Sequence, residues 1–375
     1  MSEQIPFLRP RPPRLSRLLR ELEAIEESGI YSNYGPVNTR LEAALTEQLF
    51  AGLGGCLTVN NATSGLMIAL REAAQLDGER CFALMPSFTF AATAQAAIWA
   101  GLVPLFCDID PRTWNAHPDA EDLLRRRYAG RIACFVPYAC FGNGLDLARY
   151  ARIAATDGAG LVVDAAASLG TLDDHGRGFG AGFEHPVVYS MHATKTFATA
   201  EAGLIHCADV ERLARLRVMG NFGFGRKREA TMPGLNAKLS EIGALLALAR
   251  LEDFEHVVTH RASLAEAYRT RLPEFSFQQP IGRRLAYQFM PVRLPDNTPP
   301  RDAIVQALAA EDIGVAHYFS PHLAEQAYFA SQCVCGDLTE TQRLSQRTLS
   351  LPMSDLMTEA ELERVCAALR RACRT

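Results

Sequence analysis

Strand-like and helix-like stretches alternate along the first two-thirds of the chain. Residues 15–27 read as a helix behind an N-terminal arm. Leu41, Ala44, Leu45 and Leu49 mark the apolar face of a second helix over residues 39–50. Residues 54–60 form a short strand that turns through Asn61-Ala62-Thr63-Ser64-Gly65 into a helix reaching about residue 74. Apolar, β-branched runs then predict strands over residues 81–86, 103–109, 132–138, 160–163, 187–189 and 203–207. Helices over residues 91–100, 120–128 and 145–155 fall between them. Such alternation predicts an α/β fold, a mostly parallel sheet between helices. Residues 219–239 break the pattern, and a loop of that length is usually functional or disordered. A long helix over residues 240–271 links to strand 287–293 and helices 302–310 and 360–371, which make a small α+β unit. The expected division is a large domain, 1–250, and a small one, 251–375.

Ligands in open α/β sheets bind at the carboxyl ends of strands. Thr63, Ser64, Phe90, Asp164, Ser190 and Lys195 all fall just after, or at the end of, a predicted strand. Lysine at such a place is unusual, because burial penalises its charge. Desolvation leaves a neutral amine, which can form a Schiff base with an aldehyde. The Thr63-Ser64 turn opens a helix, where free N–H groups and the helix dipole suit a phosphate as well as an ordinary cap. An aspartate about 4 Å from a pyridinium contributes about 4 kcal/mol at an effective dielectric of 20, enough to keep that nitrogen protonated.

Composition narrows the class. The chain has 375 residues, 48% hydrophobic and 21% charged, with a formal net charge of -4. That balance gives no basic bias toward nucleic acid. Arg9, Arg11, Arg14, Arg17 and Arg20 are followed at once by Glu21, Glu23, Glu26 and Glu27, which reads as a solvated helical segment. No apolar run is long enough for a membrane span, and the first residues lack a signal-peptide pattern. The ten cysteines are scattered, several within apolar strands, as expected of free thiols in a reducing cytoplasm. Cys333-Val334-Cys335 has no second pair or histidine cluster to make it a metal site, so no metal is expected.

Ordered motifs add a resemblance. Ile5-Pro6-Phe7, Asn33-Tyr34-Gly35-Pro36, Asn61-Ala62-Thr63-Ser64-Gly65-Leu66, the 86–94 run Pro-Ser-Phe-Thr-Phe-Ala-Ala-Thr-Ala, Ser190-Met191-His192-Ala193-Thr194-Lys195 and Asn236-Ala237-Lys238-Leu239-Ser240-Glu241-Ile242 stand in sequence. So do His317-Tyr318-Phe319-Ser320-Pro321-His322 and Leu349-Ser350-Leu351-Pro352-Met353. Together they resemble the DegT/DnrJ/EryC1/StrS aminotransferases, the sugar-nucleotide branch of fold-type-I pyridoxal phosphate (PLP) enzymes. The resemblance implies a seven-stranded, mostly parallel sheet in the large domain. It implies Lys195 as Schiff-base lysine and proton shuttle, Asp164 on the pyridine nitrogen, and Phe90 stacked on the ring. Thr63, Ser64 and Ser190 would hold the phosphate. Asn236 would reach it from the neighbouring subunit of a homodimer with shared sites, because its own pocket is expected to lie too far away. Asn33, Tyr34, Asn221, Arg226, Tyr318 and His322 would line the substrate pocket. The implied reaction moves an amino group from L-glutamate to a nucleotide-linked keto-deoxysugar, a dTDP- or UDP-4-keto-6-deoxyhexose, in amino-sugar and surface-polysaccharide biosynthesis.

Two positions depart from the family pattern. Asp164-Ala165-Ala166-Ala167 stands where a glutamine or histidine usually ends the motif and contacts the cofactor's phenolic oxygen. Glu201-Ala202-Gly203 replaces a usual Glu-Gly-Gly. Alternatives remain at this point: a sugar dehydratase, an aminotransferase for a non-nucleotide ketone such as an inosose, or a degenerate binding subunit. Dehydratase relatives carry histidine where Lys195 stands.

Overall fold

The computed structural model describes residues 4–74, 76 and 78–374; the first three residues of the arm lie outside the described residues. The chain opens with an extended arm, a single 3-10 turn and helix α1 (Leu19–Ser28). Helix α2 (Pro36–Phe50) starts three residues earlier than its apolar face suggests. Proline at its first turn is pre-set for helical φ, and the Glu241 carboxylate accepts from the N–H groups of Val37 (2.8 Å) and Asn38 (3.0 Å).

The alternating region then runs β1 (Gly55–Val59), α3 (Ala62–Ala73), β2 (Phe82–Pro86), α4 (Ala91–Trp99), β3 (Val103–Cys107), α5 (Pro118–Arg127), β4 (Ile132–Phe135) and α6 (Leu147–Asp157). It continues through β5 (Gly160–Leu161), β6 (Val163–Asp164), β7 (Val187–Ser190), β8 (Gly203–Cys207) and α7 (Val210–Met219). The sheet orders are β1-β8-β7-β6 and, ending on an edge strand from far down the chain, β3-β2-β4-β5. Since β5 and β6 are one run interrupted only at Val162, whose N–H bonds to Phe135 O, the two arrays form one sheet. Counting that run once gives the expected seven strands, all parallel except β8.

Both faces of the sheet are covered, which is why its strands read as unbroken apolar runs. Val187 and Tyr189 pack on one side with Leu41, Leu45, Tyr150 and Phe254. Val188 and Ile205 pack on the other with Leu66, Ala69, Ala97 and Leu216. Helix α7 has no counterpart in the sequence-based expectation. Four charged residues dilute its apolar face of Leu213, Leu216 and Met219, yet Asp209 caps it by accepting from Arg212 N at 2.9 Å.

Helix α8 (Glu241–Arg271) crosses the expected boundary at 250/251 unbroken. Leu251, Phe254 and Val258 face the large core, and Leu264, Ala265 and Tyr268 face a second core. That second core is built on β9 (Ser276–Phe277), β10 (Met290–Arg293), α9 (Arg301–Ala310), β12 (Thr348–Leu351) and α12 (Glu359–Ala372), with α10 (Ala327–Ala330), β11 (Val334–Cys335) and α11 (Thr339–Arg347) between α9 and β12. The small sheet is antiparallel, in the order β12-β10-β9. The two-residue β11 leaves this unit and pairs in parallel with β3, adding an eighth edge position to the large sheet.

The arm is not part of a solvated helix, as the arginine pattern suggested. Ile5 is buried in the small core, Arg9 pairs with Glu361 at 3.0 Å, and Arg11 offers its carbonyl to the buried Arg250. Among the described residues no helix is long and apolar enough to cross a membrane.

Candidate active site

Parallel strand directions put the carboxyl ends of β1, β2, β6 and β7 on one edge. Thr63 and Ser64 follow β1, Phe90 caps α4 after β2, and Asp164 and Ser190 end β6 and β7. Lys195 lies in the connection from β7 to β8. Bonds from Met191 N to Ala202 O (2.9 Å), Ala193 N to Ala200 O (3.0 Å) and Lys195 N to His192 O (2.9 Å) close that connection into a compact turn.

Burial pushes the Lys195 ammonium down to about 8, against the field of Asp164, which acts to raise it. Its Nζ donates to Gln288 Oε1 at 3.1 Å. A lysine with that value has a neutral fraction rising about fivefold from pH 7 to 8 and less than about twofold from pH 8 to 9. An ordinary lysine would gain about tenfold in both intervals. The rate at which the cofactor-free chain captures an aldehyde at Lys195 is therefore expected to level off above pH 8. A rate still climbing tenfold per unit at pH 9 would show a solvated lysine.

Asp164 is 2% exposed. Thr93 Oγ1 donates to its Oδ2 at 2.6 Å and Ala166 N to its Oδ1 at 3.0 Å. Burial raises its carboxyl pKa, opposed by these two bonds and by Lys195. The carboxylate is thus fixed by neutral donors and disposed toward a further cation.

At the other end, Asn61 caps α3, its Oδ1 accepting from Ser64 N at 2.9 Å. Ser64 Oγ donates to Asn61 O at 2.9 Å and bonds Asn60 Oδ1. The N–H groups of Ala62 and Thr63 stand in the first turn, where helix geometry supplies no partner. Gly203 permits this approach: a Cβ there would meet Ala62 N and Asn61 C at 2.6 Å. Ser190 Oγ accepts from His192 N at 3.3 Å. Phe90 is 56% exposed, its ring 6.4 Å from Phe319, so it presents a face rather than filling the core. An amine held near neutrality, a buried carboxylate on neutral donors, an open aromatic face and a helix N-terminus with hydroxyls fit the aldehyde, ring nitrogen, ring and phosphate of PLP.

The remaining expected site residues fall into two groups. Tyr34 lies under the Arg217 guanidinium (4.5 Å to the ring), and Asn221 Oδ1 accepts from Lys238 Nζ at 2.6 Å. Asn33 and Arg226 are exposed nearby in sequence, on their respective loops. Tyr318 stacks on Phe289 at 5.5 Å on the small-unit side. His322 is buried: its Nδ1 and Ser87 Oγ are hydrogen-bonded at 2.9 Å, and its Nε2 faces Glu325 at 3.5 Å. It ties its loop to the end of β2.

For Asn236 the distance argument is corrected. The 219–239 excursion folds back on itself, with bridges between Asn221 and Asn236 and between Phe224 and Ala230. Asn60 Nδ2 donates to Asn236 O at 3.3 Å and Asn60 N to Ala237 O at 2.7 Å. Asn236 therefore sits beside the phosphate turn of its own chain, with its residue exposed.

Several residues at the site were not anticipated. Thr93 is the fourth residue after Thr89 and shares a hydroxyl contact with it at 2.9 Å. Its position in the first turn of the helix that follows β2, one turn after Thr89, was the available signal. Gln288 fell inside the predicted strand 287–293, which in the structure starts only at Met290, and it carried no motif. Leu8, Arg9, Pro10 and Arg11 of the arm join Lys195, Arg261 and Met353 around a small cavity, a long-range approach with no local pattern.

The family model described as "DegT/DnrJ/EryC1/StrS aminotransferase family" matches residues 15–370. The chain is 30% identical over 376 residues to dTDP-4-amino-4,6-dideoxy-D-glucose transaminase from Shigella dysenteriae, covering 99% of both chains. It is 30% identical over 373 residues to protein Rv3402c of Mycobacterium tuberculosis strain H37Rv, covering 98% of this chain and 90% of that one. Among solved structures, DesI in the presence of its TDP-sugar product superposes with a TM-score of 0.88 at 30% identity, covering 100% of this chain and 94% of DesI. A protein from Bacillus cereus ATCC 10987 superposes with a TM-score of 0.93 at 35% identity, covering 98% and 100%.

Proposed function

The chain belongs to the DegT/DnrJ/EryC1/StrS aminotransferase family and uses PLP, and from that premise we propose that it moves an amino group from L-glutamate to the keto carbon of a nucleotide-linked deoxysugar. The observation that carries this reading is Lys195, held near neutrality at the sheet edge that also presents Asp164, Phe90 and the α3 N-terminus. Likeness to the Shigella dysenteriae transaminase and to DesI supports a nucleotide sugar as acceptor.

Bound there, PLP supplies an aldehyde that takes up the amino group and a ring that accepts electrons. Thr63, Ser64, Ser190 and the first-turn N–H groups of α3 hold its phosphate. Asp164 would keep the ring nitrogen protonated, and Phe90 would cover one face. Lys195 Nζ would take the proton from the α-carbon of glutamate, water would supply the keto oxygen, and 2-oxoglutarate would leave with the amino group retained by the cofactor. In the second half Lys195 returns a proton to the former keto carbon of the sugar. An amine with a pKa near the working pH suits both tasks. Asn33, Tyr34, Asn221, Arg226, Tyr318 and His322 are assigned to the sugar nucleotide. His322, being buried, acts on that pocket indirectly, by tying its loop to Ser87. The active form is a homodimer, and Asn236, exposed beside the phosphate turn, contributes a phosphate contact.

A two-step assay tests the substrate. Glutamate should release 2-oxoglutarate in stoichiometric amount from the PLP-loaded enzyme. The resulting amino form, offered keto-sugar nucleotides and free ketones such as inososes, should aminate a 4-keto-6-deoxyhexose nucleotide. Amination of a free ketone alone would replace the nucleotide-sugar reading.

A further inference from the structure

We propose that Gln288 is a positioning residue for the reaction, its carboxamide setting the orientation and proton affinity of the Lys195 nitrogen. The inference rests on the assignment of Lys195 above and is independent of which sugar is aminated. It starts from the 3.1 Å bond in which Lys195 Nζ donates to Gln288 Oε1, a contact across 93 residues of sequence.

The backbone that carries the carboxamide is held from behind. Arg261 of α8 donates from one terminal nitrogen to the carbonyls of Gln288 (2.9 Å) and Tyr287 (3.2 Å). Its Nε and other terminal nitrogen both bond Asp355 Oδ1, at 2.8 and 2.6 Å. That buried ion pair costs desolvation, and its return is a fixed backbone at 287–288. A second anchor lies two residues upstream, where Thr171 Oγ1 accepts from Ala286 N at 3.0 Å and Thr196 Oγ1 donates to Ala286 O at 3.4 Å. The carbonyls of Ala286 and Ala167 both crowd Gly142, where a Cβ would meet them at 2.7 and 3.0 Å. Segment 286–288 is therefore wedged between the strand-end segment after Asp164 and the lysine turn. Ala167 offers no side-chain polar group on that side, whereas Gln288 offers one. Among the described residues Gln288 Nε2 donates to no protein acceptor.

An amide oxygen facing a lysine nitrogen favours the protonated form without supplying a charge. The charged groups around that nitrogen are Asp164 on β6, Arg261 paired with Asp355, and Arg9 (paired with Glu361) and Arg11 on the arm. Unlike Arg9 and Arg261, Gln288 takes part in no ion pair, so a charge can be placed there without breaking one.

The test uses two variants of nearly equal shape, Gln288→Met and Gln288→Glu, in the full-length holoenzyme and its cofactor-free form. The readouts are the pH titration of the bound cofactor's absorption band and the pH dependence of aldehyde capture by the free lysine. Methionine removes the acceptor and should lower both apparent pKa values by about one unit, the size expected for a hydrogen bond to a charged group. Glutamate supplies a full charge and should raise both by more than one unit. A structural role gives no reason for shifts of opposite sign. Variants that titrate with wild type, or that shift together, overturn the proposal. If the methionine variant does not fold, the upward shift in Gln288→Glu alone decides it. A wild-type enzyme lacking any cofactor bond at Lys195 would instead indict the lysine assignment.

Discussion

Lys195→Ala lowers turnover by at least about a thousandfold, because covalent attachment and acid–base work are lost together. The fold survives. In the folded chain the ammonium is held at about 8, below its unfolded value, so at neutral pH the wild type carries the cost of a buried cation. That cost is fully present below pH 8, falls as pH rises past 8 and is gone above the unfolded lysine value. Compared as cofactor-free chains at pH 7, the variant is expected to melt no lower than wild type, and its relative advantage should shrink from about pH 8 upward and be gone above the unfolded value of 10.5. Retention of more than about a thousandth of wild-type turnover in a verified variant would remove Lys195 from the reaction.

Asp164→Asn is expected to cost roughly a hundredfold or more in turnover while leaving cofactor affinity within about tenfold. The local hydrogen bonds can be kept. Asparagine can still accept from Ala166 N, and the Thr93 hydroxyl can accept from its amide while donating to Thr89 Oγ1 at 2.9 Å. What disappears is the charge, which at an effective dielectric of 20 contributes up to about 4 kcal/mol to a nearby pyridinium. The phosphate contacts around α3 are untouched, so binding and catalysis should separate. Near-normal turnover, measured alongside the cofactor's dissociation constant, would make Asp164 a structural carboxylate.

Periodicity located the sheet well because every central strand is apolar on both faces, as in Val187, Val188 and Tyr189. Strand-end chemistry followed from the same pattern, since parallel connections bring Thr63, Asp164 and Lys195 to one edge without any long-range information. Strand β4 stopped at Phe135, short of the apolar run's end, because Pro137 cannot donate; beyond it pairing continues as Val136 N to Leu84 O, Asp164 N to Pro137 O and Ala139 N to Asp164 O. Long-range packing was not legible. Nothing local says that Glu241 caps α2, that Arg9 and Arg11 lie over the lysine, or that β11 returns to the large sheet. Gln288 belongs to the same class. Its partner is distant in sequence, and its own neighbourhood reads only as the start of a buried strand.

The central claim is that Lys195 is the residue through which this chain works on PLP. Borohydride reduction of the holoenzyme, followed by digestion and peptide mapping, tests it most directly. The account predicts one phosphopyridoxyl adduct, on Lys195, absent when glutamate is added before the reductant. An adduct on Lys227 or Lys238 instead, or none on a protein that has bound the cofactor, would contradict it.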